Sequence, residues 1–424
     1  MSDTIFAVSS GAPPSAIAVV RISGPDADAA LRALTTTSLP EPRNAALRRL
    51  SVDGKHLVSA IVIRFPGQNS VTGEDLVELH LHGGRATIAV VSAALAKIPG
   101  LRAAEPGEFT RRAFENGCMD LSEVEGLSDL LAAETEHQRR AAMAMASGGL
   151  SRIVDGLRSE LLAASARVEA AIDFADEDDV SPWPERATVL CARATQSEAL
   201  LANPPAERLR DGVRIAIAGP PNAGKSTLIN SLVAREAAIT SPIAGTTRDL
   251  IEVPVQLHGL PLIFIDTAGL RDETDDSIEA IGIARAVTVV ASSDLLIWLG
   301  DPEQTPHRTG VIAIRAKADL SDSSDDPRIA VSALTGAGIM ELTQAIVTSA
   351  RALLPPPDAI ALNARQRACL IDLVAEAHVA AITNDLIISA EHLRYARFAI
   401  DRLTGRAGVE EMLDALFGTF CIGK

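Results

Sequence analysis

Aromatic residues are scarce in this chain: Phe, Trp and Tyr make up 3 % of its 424 residues, and only one is a tyrosine. Cores must therefore be filled by aliphatic side chains and alanine, which favours helix because it loses no side-chain entropy on helix formation. Cysteine is also sparse. Cys118, Cys191, Cys369 and Cys421 stand far apart with no CxxC pair, which excludes the usual zinc frameworks and fits a reducing cytoplasm. No apolar run approaches the ~20 residues needed to span a bilayer. The opening MSDTIFAVSS lacks the basic start and apolar stretch of a secretory signal. Basic residues are outnumbered, 39 Lys and Arg against 55 Asp and Glu, for a net charge of −16. That balance argues against non-specific coating of a polyanion, although it leaves room for a local basic patch. The plain reading of the charge is solubility.

The length allows two to four domains, and three textures follow one another. Up to about Gly117, short β-rich runs (IAVVRIS at 17–23, HLVSAIVIRF at 56–65, LVELHLHGG at 76–84) alternate with turns and helical stretches such as 86–97. This predicts a small α+β domain. From about Asp120 to Asn203 the period becomes helical. Leu121, Val124, Leu127 and Leu131 recur at spacings of three and four, as do Ile153, Leu157, Leu161, Val168 and Ile172, and Ser181-Pro-Trp-Pro184 marks a break. These stripes read as the core of a helix bundle.

From Val213, strand and helix patterns alternate (VRIAIAG, KSTLINSLVA, LIFIDTAG, SDLLIWLG, VIAIRAKAD, IAVSAL). Alternation of this kind predicts a mostly parallel sheet with helices on both faces. Leu353-Leu-Pro-Pro-Pro357 closes the unit as a stiff linker, and the remainder is helical again. The expected organisation is an α+β N-terminal domain at 1–118 and an α/β P-loop domain at 213–352. The second is inserted into a helical bundle made from two chain segments, 119–212 and 353–424.

The chemistry is most explicit at GPPNAGKST, residues 219–227, which follows a strand pattern and opens a helix pattern. Gly219 and Gly224 let the loop wrap closely, so that backbone N–H groups face phosphates at a helix N-terminus. Lys225 would reach the β- and γ-phosphates, and the Ser226 hydroxyl would ligate Mg²⁺. Downstream, Asp266-Thr267-Ala268-Gly269 ends a strand, where a carboxylate can hold magnesium-bound water. Gly245-Thr246-Thr247 lies in the intervening switch segment, and Thr247 is assigned a second hydroxyl for Mg²⁺. Ala316-Lys317-Ala318-Asp319 follows another strand. Asp319 can accept two hydrogen bonds from the N–H edge of guanine, a pattern that adenine cannot offer. Ser332-Ala333-Leu334 would add a backbone contact to the base.

The nucleotide-binding set is therefore Asn222, Ala223, Gly224, Lys225, Ser226 and Thr227 in the loop, and Ser241, Pro242, Ile243, Ala244, Gly245, Thr246 and Thr247 in the switch. Asp266, Thr267, Ala268 and Gly269 join them, with Lys317, Asp319, Ser332 and Ala333 around the base. Ala316 stands where GTPases normally carry asparagine, so one neutral hydrogen bond, about 0.5–1.5 kcal/mol, is missing. Leu270 follows the DTAG motif in place of a water-orienting glutamine, and no arginine finger can be assigned in cis. Charge on the phosphates must then be neutralised another way. The side-chain oxygen of Asn222, with further oxygens from residues 241–246, could coordinate a monovalent cation there.

Beyond these motifs the chain resembles the bacterial tRNA modification GTPase family MnmE, also called TrmE. The likeness rests on AVVRISG, VTGEDLVELHLHGG (71–84), PGEFTRRAFENG (106–117), VEAAIDFADED (168–178), ARQRACL (364–370) and the terminal FCIGK (420–424), and it covers most of the chain. The resemblance implies a homodimer whose N-terminal domain binds a formyl-tetrahydrofolate derivative. It also implies a heterotetramer with MnmG (also called GidA), which carries FAD. Together they would place an aminomethyl or carboxymethylaminomethyl group on C5 of the wobble uridine of certain tRNAs.

By the same resemblance Arg21, Glu78 and Lys424 match folate-contacting positions, and Cys421 is a candidate thiol beside them. Taken as residues alone, Arg21 and Glu78 could pair with a folate carboxylate and a pterin N–H edge, or form an ordinary surface pair. Asn222, Ser241, Ile243 and Thr246 match the family's K⁺ site, and Ser226 and Thr247 its Mg²⁺ site. Glu279 matches the glutamate that organises the hydrolytic water, and on its own it reads equally as a helix-start carboxylate. Lys225 and Glu279 are thus the catalytic candidates. The chain departs from the family at Ala12-Pro-Pro-Ser15, at Cys118, at Ala316 and in a switch one residue longer after Arg271. A GTP-dependent ribosome assembly factor is the alternative reading; it predicts a further GTPase or basic RNA-binding module after residue 352.

Overall fold

The computed structural model describes residues 3–173, 197–234, 251–267, 287–320, 326–407 and 410–424. They form two compact units, Met1–Ser128 with Asp401–Lys424, and Asp129–Ile400. The first contains β1 (Thr4–Val8), β2 (Ile17–Ser23), α1 (Ala27–Leu34), β3 (Ala46–Val52), β4 (Lys55–Phe65), β5 (Leu76–His82), α2 (Arg85–Leu95), β6 (Leu101–Ala103) and α3 (Glu108–Glu115). Its six strands run in the order β3-β4-β5-β2-β1-β6. The sequence alternates with period two, as a half-covered sheet requires. Ala18, Val20 and Ile22 of β2 and Val77, Leu79 and Leu81 of β5 are buried with Leu31, Leu34, Val91 and Leu95 of the two helices. Burying each large aliphatic side chain contributes about 1.5–3 kcal/mol. The same period turns Arg21, Glu78 and His80 to the opposite face.

An ion-pair network fastens α3 to the start of the chain. Arg112, only 6 % exposed, donates to Glu74 (3.1 Å), Glu108 (3.0 Å) and both the backbone oxygen (2.8 Å) and carboxylate (3.0 Å) of Asp3. Arg102 clasps Glu108 and Asp3 as well. Burial pushes the Glu108 carboxyl up, but hydrogen bonds from Arg102 and Arg112 outweigh it and hold the group below its ordinary value. Asp3 is lowered chiefly by Arg102. Both folded carboxyls thus resist protonation more than their unfolded counterparts. Their stabilisation is complete above the unfolded carboxylate pKa, near 4, and is lost as pH falls through the lower folded values. Denaturant titrations between pH 7 and pH 3 should therefore give a steep loss of stability in acid for the wild type. The loss should be shallower for Glu108→Gln, which no longer titrates; equal slopes would mean that the network carries no pH dependence.

Helix α4 (Leu121–Ala132) leads into the second unit, which holds α5 (Glu136–Ala146), α6 (Gly149–Asp173), β7 (Val213–Ala218), α7 (Lys225–Val233), β8 (Ile251–Leu257) and β9 (Leu260–Asp266). They are followed by β10 (Leu295–Trp298), β11 (Val311–Ala316), β12 (Ile329–Val331), α8 (Ile339–Leu353), α9 (Ala364–Ile382) and α10 (Leu386–Thr404). The strand order is β12-β11-β10-β7-β9-β8, parallel throughout except for the antiparallel edge strand β8. The α+β, helical and P-loop α/β classes read from the sequence are all present.

Two details differ from the sequence reading. The inward stripe of α6 is Leu150, Val154, Leu157, Leu161, Ala164 and Val168, while Ile172 at its end is 37 % exposed. Leu131, at the end of the α4 stripe, is 48 % exposed. Both lie at helix ends, where packing rather than period decides burial.

The chain before and after the parallel sheet meets itself. Ala206 N–H donates to Leu362 O (3.0 Å), Arg367 to Asn203 O (3.0 Å), and His137 Nε2 lies 2.8 Å from Pro355 O. Ser181-Pro-Trp-Pro184 and Cys191 lie outside the described residues. Among those described, no helix is long and apolar enough to cross a membrane.

Candidate nucleotide-binding site

Strand β7 is the base of the site. Ile215, Ala216 and Ile217 are fully buried, as expected for a parallel strand covered on both faces. Beyond Ala218 the chain turns through residues 219–224 into α7. Gly224 has φ +95°, a region that side chains rarely adopt, and a Cβ on Gly219 would stand 3.0 Å from Leu299 Cβ. Both glycines are therefore required by conformation or by close approach. Asn222 adopts φ +57°, which asparagine tolerates better than most residues. The first N–H groups of α7 have no partner within the helix, so the loop and helix start form a cradle for an anion.

Lys225 is almost buried, and its Nζ donates to Gly219 O (3.1 Å) and Pro220 O (2.9 Å), which keeps the ammonium inside the curve of the loop. Register in the sheet sets Ile217 of β7 opposite Asp266 of β9. That register brings together residues forty positions apart: Ser226 Oγ donates to Asp266 Oδ2 at 2.6 Å. A hydroxyl and a carboxylate in contact are hard oxygen donors suited to Mg²⁺. Thr267 turns inward, donating to Ile217 O (2.7 Å).

A cavity of about 440 Å³ beside the loop is lined by Gly219, Lys225, Thr267, Trp298 and Arg308, among others. Arg308 was not singled out by sequence, and its position near Lys225 raises the question of a finger. Its N–H groups are committed to Val290 O, Ser293 O (2.5 Å), Ser293 Oγ (3.1 Å) and Thr309 O (3.2 Å). It braces the segment that leads into β10 and is not presented to phosphate.

At the other end of the loop a cavity of about 280 Å³ is lined by Gly224, Thr227, Ala316, Lys317, Asp319 and Leu334, with Ala223, Leu320 and Ala333. Lys317 has φ +54°, and Ala318 N–H donates to Val331 O (3.1 Å), which fixes the loop to β12. Asp319 stands in this cavity, and the nearby Ser332 hydroxyl is the main influence lowering its carboxyl below its ordinary value. Ser332 shapes the turn after β12, its N–H donating to Ala337 O (3.0 Å) and its Oγ accepting from the Thr335 N–H (3.2 Å). Ser241, Pro242, Ile243, Ala244, Gly245, Thr246, Thr247, Ala268, Gly269 and Glu279 lie outside the described residues.

The first unit carries the second candidate site. Arg21 and Glu78 are cross-strand partners, with Arg21 Nε donating to Glu78 Oε1 at 2.9 Å. His80, which sequence reading missed, lies 3.0 Å from the other Glu78 oxygen. Burial pushes the Glu78 carboxyl up, and Arg21 and His80 together bring it below its ordinary value. The C-terminal residues are anchored nearby. Pro106 bridges Ile422, Phe109 N–H donates to Lys424 O (3.2 Å), and a Cβ on Gly423 would stand 2.1 Å from Val8 O. Val8 pairs with Val20 and Ala7 with Arg21, so Gly423 packs one strand away from the Arg21–Glu78 pair. The Ser9 hydroxyl beside it is buried without a hydrogen-bond partner, an observation that fits a polar ligand. Cys421 is exposed.

Comparison with known proteins covers nearly the whole chain. The family model of the GTP-binding protein TrmE N-terminus matches residues 4–118, and that of the MnmE helical domain matches residues 121–421. A tRNA modification GTPase MnmE from Erythrobacter litoralis is 54 % identical over 424 residues, covering 100 % of both chains. One from Rhizorhabdus wittichii is 53 % identical over 100 % of this chain and 97 % of its own. One from Novosphingobium aromaticivorans is 51 % identical over 100 % of both.

Proposed function

This chain belongs to the MnmE family of tRNA modification GTPases, and on that premise we propose that it hydrolyses GTP to drive the modification of tRNA. The observation that carries this reading is the conjunction of Lys225 and the Ser226–Asp266 pair at the start of α7 with Asp319 in the cavity that Gly224 also lines. The finer reading is a potassium-stimulated GTPase acting as a homodimer with MnmG on C5 of the wobble uridine. Its support is residue by residue: Asn222 for K⁺, with Ser241, Ile243 and Thr246; Ser226 and Thr247 for Mg²⁺; Glu279 for the water. The same reading divides the chain at 118, 212 and 352, with folate binding and dimerisation in the first segment. A ribosome assembly factor is not favoured, since relatives half identical over their full length bear the tRNA modification name.

In this scheme the backbone cradle and Lys225 bind and orient the phosphates, and Asp319 selects the base. Ser226 and Thr247 would hold the magnesium ion, with Asp266 holding water bound to it, and the ion would offset phosphate charge when bound. Mass spectrometry of nucleosides from a strain lacking this protein should find the wobble uridine without its C5 aminomethyl-type group. Restoring the wild-type chain, but not a Lys225→Ala chain, should return it. Unaltered wobble uridine in the deletion strain would sink the proposal.

The folate reading has its own test. Arg21→Ala removes the cation that faces Glu78 and a ligand carboxylate, so formyl-tetrahydrofolate should bind roughly tenfold to a hundredfold more weakly by calorimetry, about one charge-assisted bond. The GTPase rate should be unchanged. Unaltered folate affinity would mean that the site lies elsewhere.

A further inference from the structure

A chain of net charge −16 repels a polyanion at long range, so a surface that docks RNA must be locally positive. Salt makes such a division possible. At physiological ionic strength, charges beyond about 8 Å are largely screened, and a nucleic acid responds to the patch in front of it.

The sheet of the first unit carries such a patch along one edge. β3 is an edge strand, and it turns through Asp53 and Gly54 into β4. Between residues 42 and 63 stand four cations, Arg43, Arg48, Arg49 and Lys55, against one acid, Asp53. The register of the hairpin orders them. Arg49 lies opposite Ser59, and Lys55 lies opposite Val52, three residues further along β3. At about 3.4 Å per residue the two stand roughly 10 Å apart along the edge. Arg48 adjoins Arg49, and Arg43 precedes the strand.

These charges are not neutralised. Among the described residues, none of the four is paired with a carboxylate. Arg43 donates to Asn69 O and lies over the Phe65 ring, 5.5 Å from its centroid. Arg48 donates to Ser38 O (3.3 Å) and Leu47 O (3.0 Å). The exposed side chains of Arg49 and Lys55 have no partner there. Other arginines of this unit are closed into ion pairs, Arg64 with Asp28, Arg102 with Glu108 and Arg112 with Glu74. Beside the free cations, Leu47 and Ile61 are cross-strand partners, 69 % and 46 % exposed, a hydrocarbon pair against which a ribose can lie. Charge on an edge strand also blocks pairing with another sheet. That role ends with the strand, whereas Arg43 precedes β3 and Lys55 opens β4.

We propose that the edge formed by β3 and the turn into β4 docks RNA by its sugar–phosphate backbone, with Arg49 and Lys55 as the principal phosphate contacts. Arg43 and Arg48 add charge held in place by backbone oxygens. Contacts of this kind position an RNA without reading its sequence. The inference rests on the tRNA reading given above and names a surface that such a reading requires.

The test is fluorescence anisotropy of a labelled tRNA transcript with a wobble uridine, titrated with the full chain between about 50 and 200 mM salt. Arg49→Gln/Lys55→Gln removes both contacts and keeps the edge polar. Lys97→Gln/Arg167→Gln makes the same change of net charge at exposed positions elsewhere. The first variant should bind about tenfold more weakly at the low-salt end, and its slope of log affinity against log salt should fall by about two. The second should stay within about twofold of wild type. GTP hydrolysis should be unchanged in both. Equal losses in the two variants would assign the effect to net charge, and no loss in the first would leave the β3 charges as edge protection; either result overturns the surface. Labelled poly-glutamate bound as tightly as tRNA, with the same loss in the first variant, would reassign the edge to an acidic protein. A wild-type chain that leaves the tRNA unbound at low salt would overturn it as well. None of these outcomes alters the wobble-nucleoside result, which decides the tRNA modification reading, so the two failures are distinguishable.

Discussion

Replacing Asn222 by glycine is expected to abolish potassium stimulation, lowering single-turnover hydrolysis in K⁺ buffer by roughly 10³–10⁵-fold. GTP affinity should stay within a few fold. The expectation starts from what the site lacks. Leu270 replaces the usual glutamine, and Arg308, the arginine that lines the cavity beside Lys225, spends its N–H groups on backbone and serine oxygens. Charge that develops between the β- and γ-phosphates needs another partner, and devices of this kind contribute about 4–7 kcal/mol to the barrier. A monovalent cation held by the Asn222 oxygen would supply that charge.

The backbone at Asn222, φ +57°, decides which variant is informative. Alanine there costs about 1–2 kcal/mol of conformational strain, which would mix loop damage with loss of the oxygen. Glycine removes the oxygen and keeps the conformation. Lys225 and the cradle are untouched, so binding persists. The measurement is single-turnover hydrolysis by wild type, Asn222→Gly and Glu279→Ala in matched K⁺ and Na⁺ buffers. Glu279→Ala should slow hydrolysis while sparing cation-dependent dimerisation. Equal wild-type rates in the two salts would remove the cation from the mechanism.

A comparable loss is expected at the base. Asp319→Asn should weaken GTP by about 10²–10⁴-fold and make XTP the preferred nucleotide. An Asp319 carboxylate would accept from both N–H groups of guanine, and hydrogen bonds to a charged group are worth about 1.5–3 kcal/mol each. An amide keeps one acceptor and turns a donor toward the other position. Against guanine that sets donor against donor; against xanthine, whose position 2 is a carbonyl, it restores the match. Competition binding with GTP and XTP distinguishes the cases, and an Asp319→Asn protein that keeps GTP within fivefold would refute the assignment.

The sequence by itself determined the fold classes and the nucleotide chemistry that lies in contiguous segments. The phosphate cradle is backbone curvature imposed by Gly219 and Gly224 before a helix, and such local geometry is written in adjacent residues. The period-two pattern likewise fixed which residues of β2 and β5 share a face, so Arg21 and Glu78 were legible as neighbours of a kind. Tertiary structure alone decided the rest. That His80 shares Glu78 and that Ser226 meets Asp266 follow from strand register and loop closure. Arg308 could be recognised as a brace only once β10 and its neighbours were assembled. The inward stripe of α6 depends on what packs opposite, which no period within one segment encodes. Local conformation is set by neighbours in the chain, whereas a partner's identity is set by how the strands are ordered, and that order arises only when the sheets close.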